Sequence, residues 1–279
     1  MTPKLTAVVF TYNRREIVET TLRSARFADR LVVVDKGSTD GTAEIGKLYA
    51  DDFRTARWSP TVESTKAEVI PAIETEWLLM LDDDECLNGP AIEYIQAAIR
   101  DGQFDVHYLP FRHHIIGRHD ERAYYWPEYR PALFRRGAMA FQSTVHGGTQ
   151  RLSDSHIYVE PDSGVSILHL SHAGSRNWIE KTNRYSDQLD RASSTGAADL
   201  TPEGVRRLMD DWLSRVPSPS EPYLTAVAAL RGIYDVVDAV KSWEQQQDIR
   251  GEQAFAAISD ELHRVYDAMG IERRLPGQA

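Results

Sequence analysis

Two kinds of apolar pattern alternate along the first hundred positions. Residues 6–10, 31–34 and 77–81 are unbroken apolar runs without polar alternation. Strands buried on both faces have this texture. Between them, apolar residues recur three or four apart. Residues 14–26 predict a helix with Ile17, Thr21, Leu22 and Ala25 on one side. Residues 42–50 predict a short helix, and 62–74 a third with Val69, Ile70 and Ile73 inward. Residues 53–58 predict a further strand. The alternation implies an α/β protein with a parallel sheet covered on both faces. Right-handed crossovers then bring the loops after residues 10, 34 and 81 to one sheet edge.

After residue 104 the texture changes. Residues 106–111, 132–135 and 165–170 predict strands without helical crossovers between them, so this half is antiparallel or mixed. Residues 176–192 predict a helix through Trp178, Ile179, Thr182, Tyr185 and Leu189. The small polar stretch 193–202 and the proline-rich 216–222 predict breaks, with helices on both sides of the second. Tyr223, Val227, Leu230, Tyr234 and Val237 form one amphipathic stripe; Phe255, Ile258, Leu262 and Tyr266 form another. Packing on the main domain is the expected use of both stripes, and a homodimer through the C-terminal helices the second.

Composition narrows the class. The chain has 279 residues, 42% hydrophobic and 27% charged, as soluble globular proteins do. A net charge of −10 argues against broad nonspecific nucleic-acid binding but leaves room for a local basic groove. Cys86 is the single cysteine, so no intrachain disulfide forms and a cytoplasmic setting is favoured. The opening residues carry no signal-peptide pattern, and no run is long enough for a membrane span, which leaves peripheral membrane contact open.

Trp77-Leu78-Leu79-Met80-Leu81-Asp82-Asp83-Asp84-Glu85 is the densest chemical signal. An apolar strand is a rigid mount, and the carboxyl ends of strands in open α/β sheets border the ligand crevice. Four adjacent acids need compensation there. A divalent cation holding substrate phosphates is the usual compensator, and an acidic turn in solvent is the alternative. Thr11-Tyr12-Asn13 and Asp35-Lys36-Gly37-Ser38-Thr39-Asp40-Gly41 reach the same edge. The second could simply cap the helix at 42 through Ser38, Thr39 or Asp40.

The order and spacing of these motifs resemble glycosyltransferase family 2, the inverting enzymes of GT-A fold. The likeness runs over roughly residues 5–190, through Phe10-Thr11-Tyr12-Asn13, Val33 to Thr42 and Trp77 to Glu85. It is nearest to the bacterial branch of lipopolysaccharide-core heptosyl and glucosyl transferases. Pro127-Glu128-Tyr129, Leu133-Phe134-Arg135-Arg136, Val145-His146, His169 and Asn183-Arg184-Tyr185 stand where that branch has its later motifs. The helical tail lies outside the likeness, so the break over 193–202 divides the chain into a GT-A domain over 1–195, with a nucleotide-sugar half over 1–104 and an acceptor half over 105–195, and a helical extension over 196–279. The resemblance implies a Rossmann-like mixed sheet flanked by helices. It implies a metal-dependent transfer of sugar from a nucleotide donor, UDP-sugar favoured, to an acceptor hydroxyl. Thr11, Tyr12 and Asn13 would line the nucleotide pocket, Asp35 would meet base or ribose, and Asp40 would support that loop. Lys66 would meet a phosphate or lie in solvent, and Asp82, with Asp83 beside it, would contact the ribose. Asp84 would bind Mn²⁺ or Mg²⁺. His169 is a candidate second ligand, with His172 behind it.

The general base is less clear in the resemblance. The branch reads Val-His-Glu where this chain has Val145-His146-Gly147, so Glu128 or His146 would have to serve. Arg112, Arg118, Arg122, Arg130, Arg135 and Arg136 interleave with Tyr124, Tyr125, Trp126 and Tyr129. That segment is read as acceptor recognition, with an ordinary flap as the alternative. The acceptor stays open among glycan, lipid-linked glycan, natural product, protein and modified nucleic acid. Two other functions compete. A sugar nucleotidyltransferase would carry a glycine-rich loop after the first strand, and Phe10 to Arg15 holds no glycine. A nucleotide-sugar-binding scaffold is supported only by the missing Val-His-Glu acid.

Overall fold

The computed structural model describes residues 4–59, 62–142, 149–187, 200–218 and 220–271. The first strands are β1 (Leu5–Thr11), β2 (Arg30–Asp35), β3 (Asp52–Thr55) and β4 (Trp77–Asp82), all parallel, with β1 between β2 and β4. Helices α1 (Val18–Ala25), α2 (Thr42–Tyr49) and α3 (Glu63–Val69) connect them. The unbroken apolar runs have a direct cause, because alternate residues feed two cores. Ala7, Val9, Leu31, Val33, Leu79 and Leu81 enter the core under α1. Val8, Phe10, Val32, Val34 and Leu78 enter the opposite one, against Val69, Ile70 and Ile73. Each such side chain contributes roughly 1.5–3 kcal/mol by leaving water.

The sheet turns mixed after β4, as expected. It continues through β5 (Glu85–Leu87), β6 (Val106–Ile115), β7 (Tyr129–Arg135), β10 (His156–Tyr158) and β11 (Ile167–His172), with β7 inserted antiparallel between β4 and β6. Strands β8 (Met139–Phe141) and β9 (Thr149–Arg151) form a separate antiparallel pair. The first half of β6 takes β10, and its second half takes β11. β5 lies antiparallel on β11, with His169 opposite Glu85.

Helix α4 (Gly89–Asp101) was not among the expected elements. Asn88 caps it by accepting from the Ala91 amide at 2.9 Å. Its innermost residues are Ala91, Ile95 and Ala98, with Ile92, Tyr94 and Ile99 packed beside them.

Helix α5 (Ser175–Ser186) buries Trp178 and Thr182 but leaves Ile179 exposed. The tail holds α6 (Pro202–Leu213), α7 (Pro222–Gln246) and α8 (Gly251–Ala268). The expected use of its two stripes holds only for α7. Leu224, Val227 and Leu230 of α7 close a third core with Ile115, Ala123, Tyr125 and Trp178. Helix α8 buries no side chain, and Phe255 and Met269 are 74% and 68% exposed. The expected boundary near residue 195 lies outside the described residues. No helix among those residues is long and apolar enough to cross a membrane.

Candidate active site

Strand register brings the three motifs together. Thr11 pairs with Asp35 across β1 and β2, and Phe10 pairs with Asp82 across β1 and β4. Side chains then lock the first two loops to each other. Asn13, at φ 51, donates its amide to Ser38 Oγ at 2.9 Å, and its Oδ1 accepts from the Thr39 amide at 2.8 Å. The Arg14 amide donates to Thr42 Oγ1, and the Arg15 amide to Asp40. Asp40 also accepts from the Thr42 amide at 3.0 Å, starting α2. Asp35 is 2% exposed and turns back on its own loop, accepting from the Gly37 and Ser38 amides at 3.0 and 2.9 Å. Gly37 and Gly41 have φ of 87° and 96°, a region that glycine enters without strain. Beyond this edge Tyr12 meets Trp58 edge to face, with ring centroids 6.3 Å apart. Trp58 is a wall residue that the sequence reading did not select.

The acidic run is neither a solvated turn nor a bare cluster. Asp82 lies 2.7 Å from Lys66 Nζ, so Lys66 is neither in solvent nor unpaired. Asp83 accepts from the Tyr12 amide at 2.9 Å and from Arg14 Nε at 3.3 Å. Its role in this arrangement is to tether the first loop. Asp84 Oδ2 faces Arg14 at 3.2 Å and Lys181 Nζ at 3.3 Å, and its Oδ1 faces His169 Nε2 at 3.4 Å. Glu85 turns inward and accepts from the Asp82 amide at 3.0 Å. Arg14 and Lys181 were not selected from the sequence. The only signal near Lys181 is its place three residues before Arg184, on a helix face that turns toward the acids.

Electrostatics follow from this packing. Burial, with the Asp84 charge adding to it, pushes the Asp83 carboxyl up to about 7. Asp84 is buried too, yet His169, Lys181 and Arg14 hold it well below the carboxylate range. Burial and the Asp82 charge push Glu85 up to about 8. Burial lowers the Lys181 amine against the pull of Asp84. Lys66 goes the other way, because Asp82 and Glu85 outweigh its burial. Burial lowers His169, favouring the neutral imidazole that can act as a ligand.

His169 sits beside Asp84 because β11 pairs with β5, and the Leu170 amide donates to the Asp84 carbonyl at 2.8 Å. From His169 a chain of polar contacts crosses to the other half of the cleft. His169 Nδ1 is 2.9 Å from His113 Nδ1, and His113 Nε2 is 2.8 Å from Glu128 Oε2. Glu128 also faces Arg130 at 3.3 Å. Burial opposes its ionisation, but His113 and Arg130 hold the carboxyl below its ordinary value. It therefore stands ionised at neutral pH and able to take a proton. His113 is a fourth residue that the sequence does not point to. His146, the other candidate base, lies outside the described residues. His172 packs on Trp178, with centroids 4.5 Å apart, and hydrogen-bonds Ser171.

The arginines and aromatics of residues 112–135 are extensively paired within the protein. Arg112 pairs with Glu121 and stacks on Trp126; Arg118 and Arg122 pair with Asp120. Arg122 also reaches Glu221, and Arg135 pairs with Glu76 and Asp105. Tyr124, Tyr125 and Trp126 pack into the third core. The segment is a wall fastened to the tail, and its charge is largely taken up inside the protein.

No group of three or more His, Cys, Asp or Glu side chains converges as a metal cage among the described residues. Asp84 and His169 still form a fitting partial set. Hard divalent cations that bind with phosphates take only one or two protein carboxylates and fill the rest with phosphate and water oxygens.

The sequence profile of glycosyl transferase family 2 matches residues 6–153, more than half of the chain. The chain belongs to glycosyl transferase family 2. This family 2 protein is thus a glycosyltransferase, built on a mixed sheet flanked by helices. No curated protein matches the sequence. Among solved structures, S. aureus TarS 1-349 in complex with UDP-GlcNAc is 16% identical, covering 87% of this chain and 92% of that chain at a TM-score of 0.46. Glucosyl-3-phosphoglycerate synthase from Mycobacterium tuberculosis, in complex with Mn²⁺, UDP and phosphoglyceric acid, is 13% identical. It covers 40% of this chain and 44% of that chain at a TM-score of 0.34. Likenesses at this level do not bear on substrate.

Proposed function

We propose that the protein transfers a sugar from a UDP-sugar to an acceptor hydroxyl with inversion. The observation that carries this reading is the strand register that sets Thr11 beside Asp35 and Phe10 beside Asp82. It brings the three loops to one edge, where they would form a nucleotide wall and a charged diphosphate site. Tyr12 and Trp58 would border the base, with Asn13, Asp35 and Asp40 holding their loops. Lys66 and Asp82 would meet the ribose and its phosphate. Asp84 and His169 would hold Mn²⁺ or Mg²⁺, which when bound neutralises charge on the departing diphosphate.

Glu128 is the proposed general base. It takes the proton of the acceptor hydroxyl as that oxygen attacks the anomeric carbon. The bond from that carbon to the diphosphate breaks, and its electron pair leaves with the phosphate oxygen. His113 and Arg130 keep Glu128 ionised and aimed. The base thus has a candidate despite the missing Val-His-Glu acid, which removes the main support for a binding-only scaffold.

The later motifs around Glu128, Arg135 and Arg184 support the lipopolysaccharide-core branch, and with it a glycan or lipid-linked glycan acceptor met at the cytoplasmic membrane face. Residues 1–104 would bind donor and 105–195 acceptor, with 196–279 as the helical extension. The exposed stripe of α8 is the proposed homodimer surface. Calorimetric titration with UDP, GDP, TDP and CDP, each with Mn²⁺ and again with EDTA, tests the donor. UDP is expected to bind best in Mn²⁺. Tighter binding of another nucleotide would replace the donor, and no binding of any would overturn the function.

A further inference from the structure

Asp84 is the proposed metal carboxylate, yet cations of the chain already occupy it. Lys181 Nζ lies 3.3 Å from Asp84 Oδ2 and donates to the Ser171 carbonyl at 3.0 Å, so the amine is fixed at two points. Arg14 reaches the same oxygen at 3.2 Å while its Nε stays on Asp83. The site is sheltered, with the Lys181 and Asp84 side chains 14% and 7% exposed. Lys181 comes from α5 and Arg14 from the loop after β1, so two separate elements converge on one oxygen.

With two cations already on that oxygen, a third cannot join them cheaply. An ammonium and a divalent cation a few ångströms apart repel strongly in a sheltered site. A cation entering at Asp84 must therefore displace Lys181, and a displaced buried ammonium needs another anion. A nucleoside diphosphate brings that anion to the same place.

We propose that Lys181, assisted by Arg14, is a latch on Asp84: it bars divalent cations that arrive without nucleotide and passes to the donor diphosphate, so that metal and nucleotide bind together. The inference rests on the donor reading above and adds the order of events. Coupling between two ligands is reciprocal and typically worth five- to a hundredfold.

The test is Mn²⁺ binding to the full chain without nucleotide, followed by electron paramagnetic resonance of free Mn²⁺. Lys181→Met is expected to bind Mn²⁺ alone about tenfold more tightly than wild type, while its UDP affinity in Mn²⁺ falls about tenfold. Lys181→Arg should restore the wild-type pattern. A merely structural lysine would weaken both ligands and strengthen neither. A folded Lys181→Met protein that binds Mn²⁺ no more tightly than wild type would overturn the latch, even with UDP binding intact. Should the Met variant fail to fold, Lys181→Gln is read in the same way. If wild type binds no nucleoside diphosphate under any condition, the donor reading itself falls and takes the latch with it.

Discussion

The edge proposed to bind the donor and the wall proposed to face the acceptor are held by different kinds of contact. At the donor edge, loops after adjacent parallel strands fasten to each other through backbone amides and short side chains: Asn13 with Ser38 and Thr39, Arg15 with Asp40, Asp83 with Tyr12. The acceptor wall around residues 118–128 has no such neighbour in sequence. Beyond its own pairs on Asp120 and Glu121, it is fastened by the tail about a hundred residues away. Tyr223 donates to the Arg118 carbonyl at 2.5 Å, Arg122 pairs with Glu221, and α7 fills the core beneath. The first design is prebuilt by the sheet, while the second depends on a docked helix. Damage to the two should therefore separate in measurement.

The largest expected effect is at the junction. Asp84→Ala should lower kcat/KM on the order of a thousandfold if a cation or diphosphate is organised there. A strand-end carboxylate is often dispensable to a fold, but this one neutralises Arg14 and Lys181 and contacts His169. Removing it should also cost about 2–3 kcal/mol of stability, less than for fully buried pairs because Arg14 is partly exposed. Urea unfolding checks the second figure, and an unchanged midpoint would show that the cations find other partners.

Glu128→Gln should divide the halves cleanly. It is expected to lower kcat by about a hundredfold or more with calorimetric UDP affinity unchanged. Retained turnover would move the base elsewhere, with His146 next in line.

The docked helix gives a third contrast. Leu224→Ala removes a side chain only 3% exposed in the third core and should cost about 3 kcal/mol. The milder Lys241→Met removes an ammonium that donates to the Asn183 carbonyl at 2.8 Å near the end of α5. Loss of such a C-terminal contact is worth under about 1 kcal/mol, so UDP affinity should fall roughly threefold through a displaced Lys181. No change would mean that β11 alone positions α5.

The smallest effect is one of acidity. Arg122, by side chain and amide, holds Asp120 down to about 2. A depressed carboxyl stabilises above its unfolded value and loses that contribution as pH falls toward the folded one. The wall should therefore loosen between about pH 4 and 2, ahead of the donor edge. Near-ultraviolet dichroism from Tyr124, Tyr125 and Trp126 reports it, and Asp120→Asn should abolish that early step.

Legibility in the sequence follows the same division. The parallel strands were readable because both faces are buried, so no alternation dilutes the apolar runs. Thr11, Asp35 and Asp82 were readable because neighbouring parallel strands end together. Arg14, His113, Trp58 and Lys181 were not, since a charged or aromatic residue in a loop or on a helix looks the same whether it faces water or an acid. Strand β5 hid inside the acidic run because Glu85, Cys86 and Leu87 are only three residues long. The pairing of the arginine and aromatic segment was hidden for a related reason. Composition does not say whether a cation's partner is a ligand or the protein's own Asp120 or Glu121. The two amphipathic stripes of the tail look alike in sequence, and only packing separates α7 from α8.

The Lys241 clamp on α5 has a consequence for how the protein comes off the ribosome. The acids at 82–85 emerge early, with Arg14 and Lys66 already made. Lys181 emerges about a hundred residues later, and the helix that fixes its mount later still. For that interval the nascent chain carries a sheet edge whose charge is only partly balanced, so the Asp84 end of an otherwise prebuilt edge is among the last parts of the molecule to be finished.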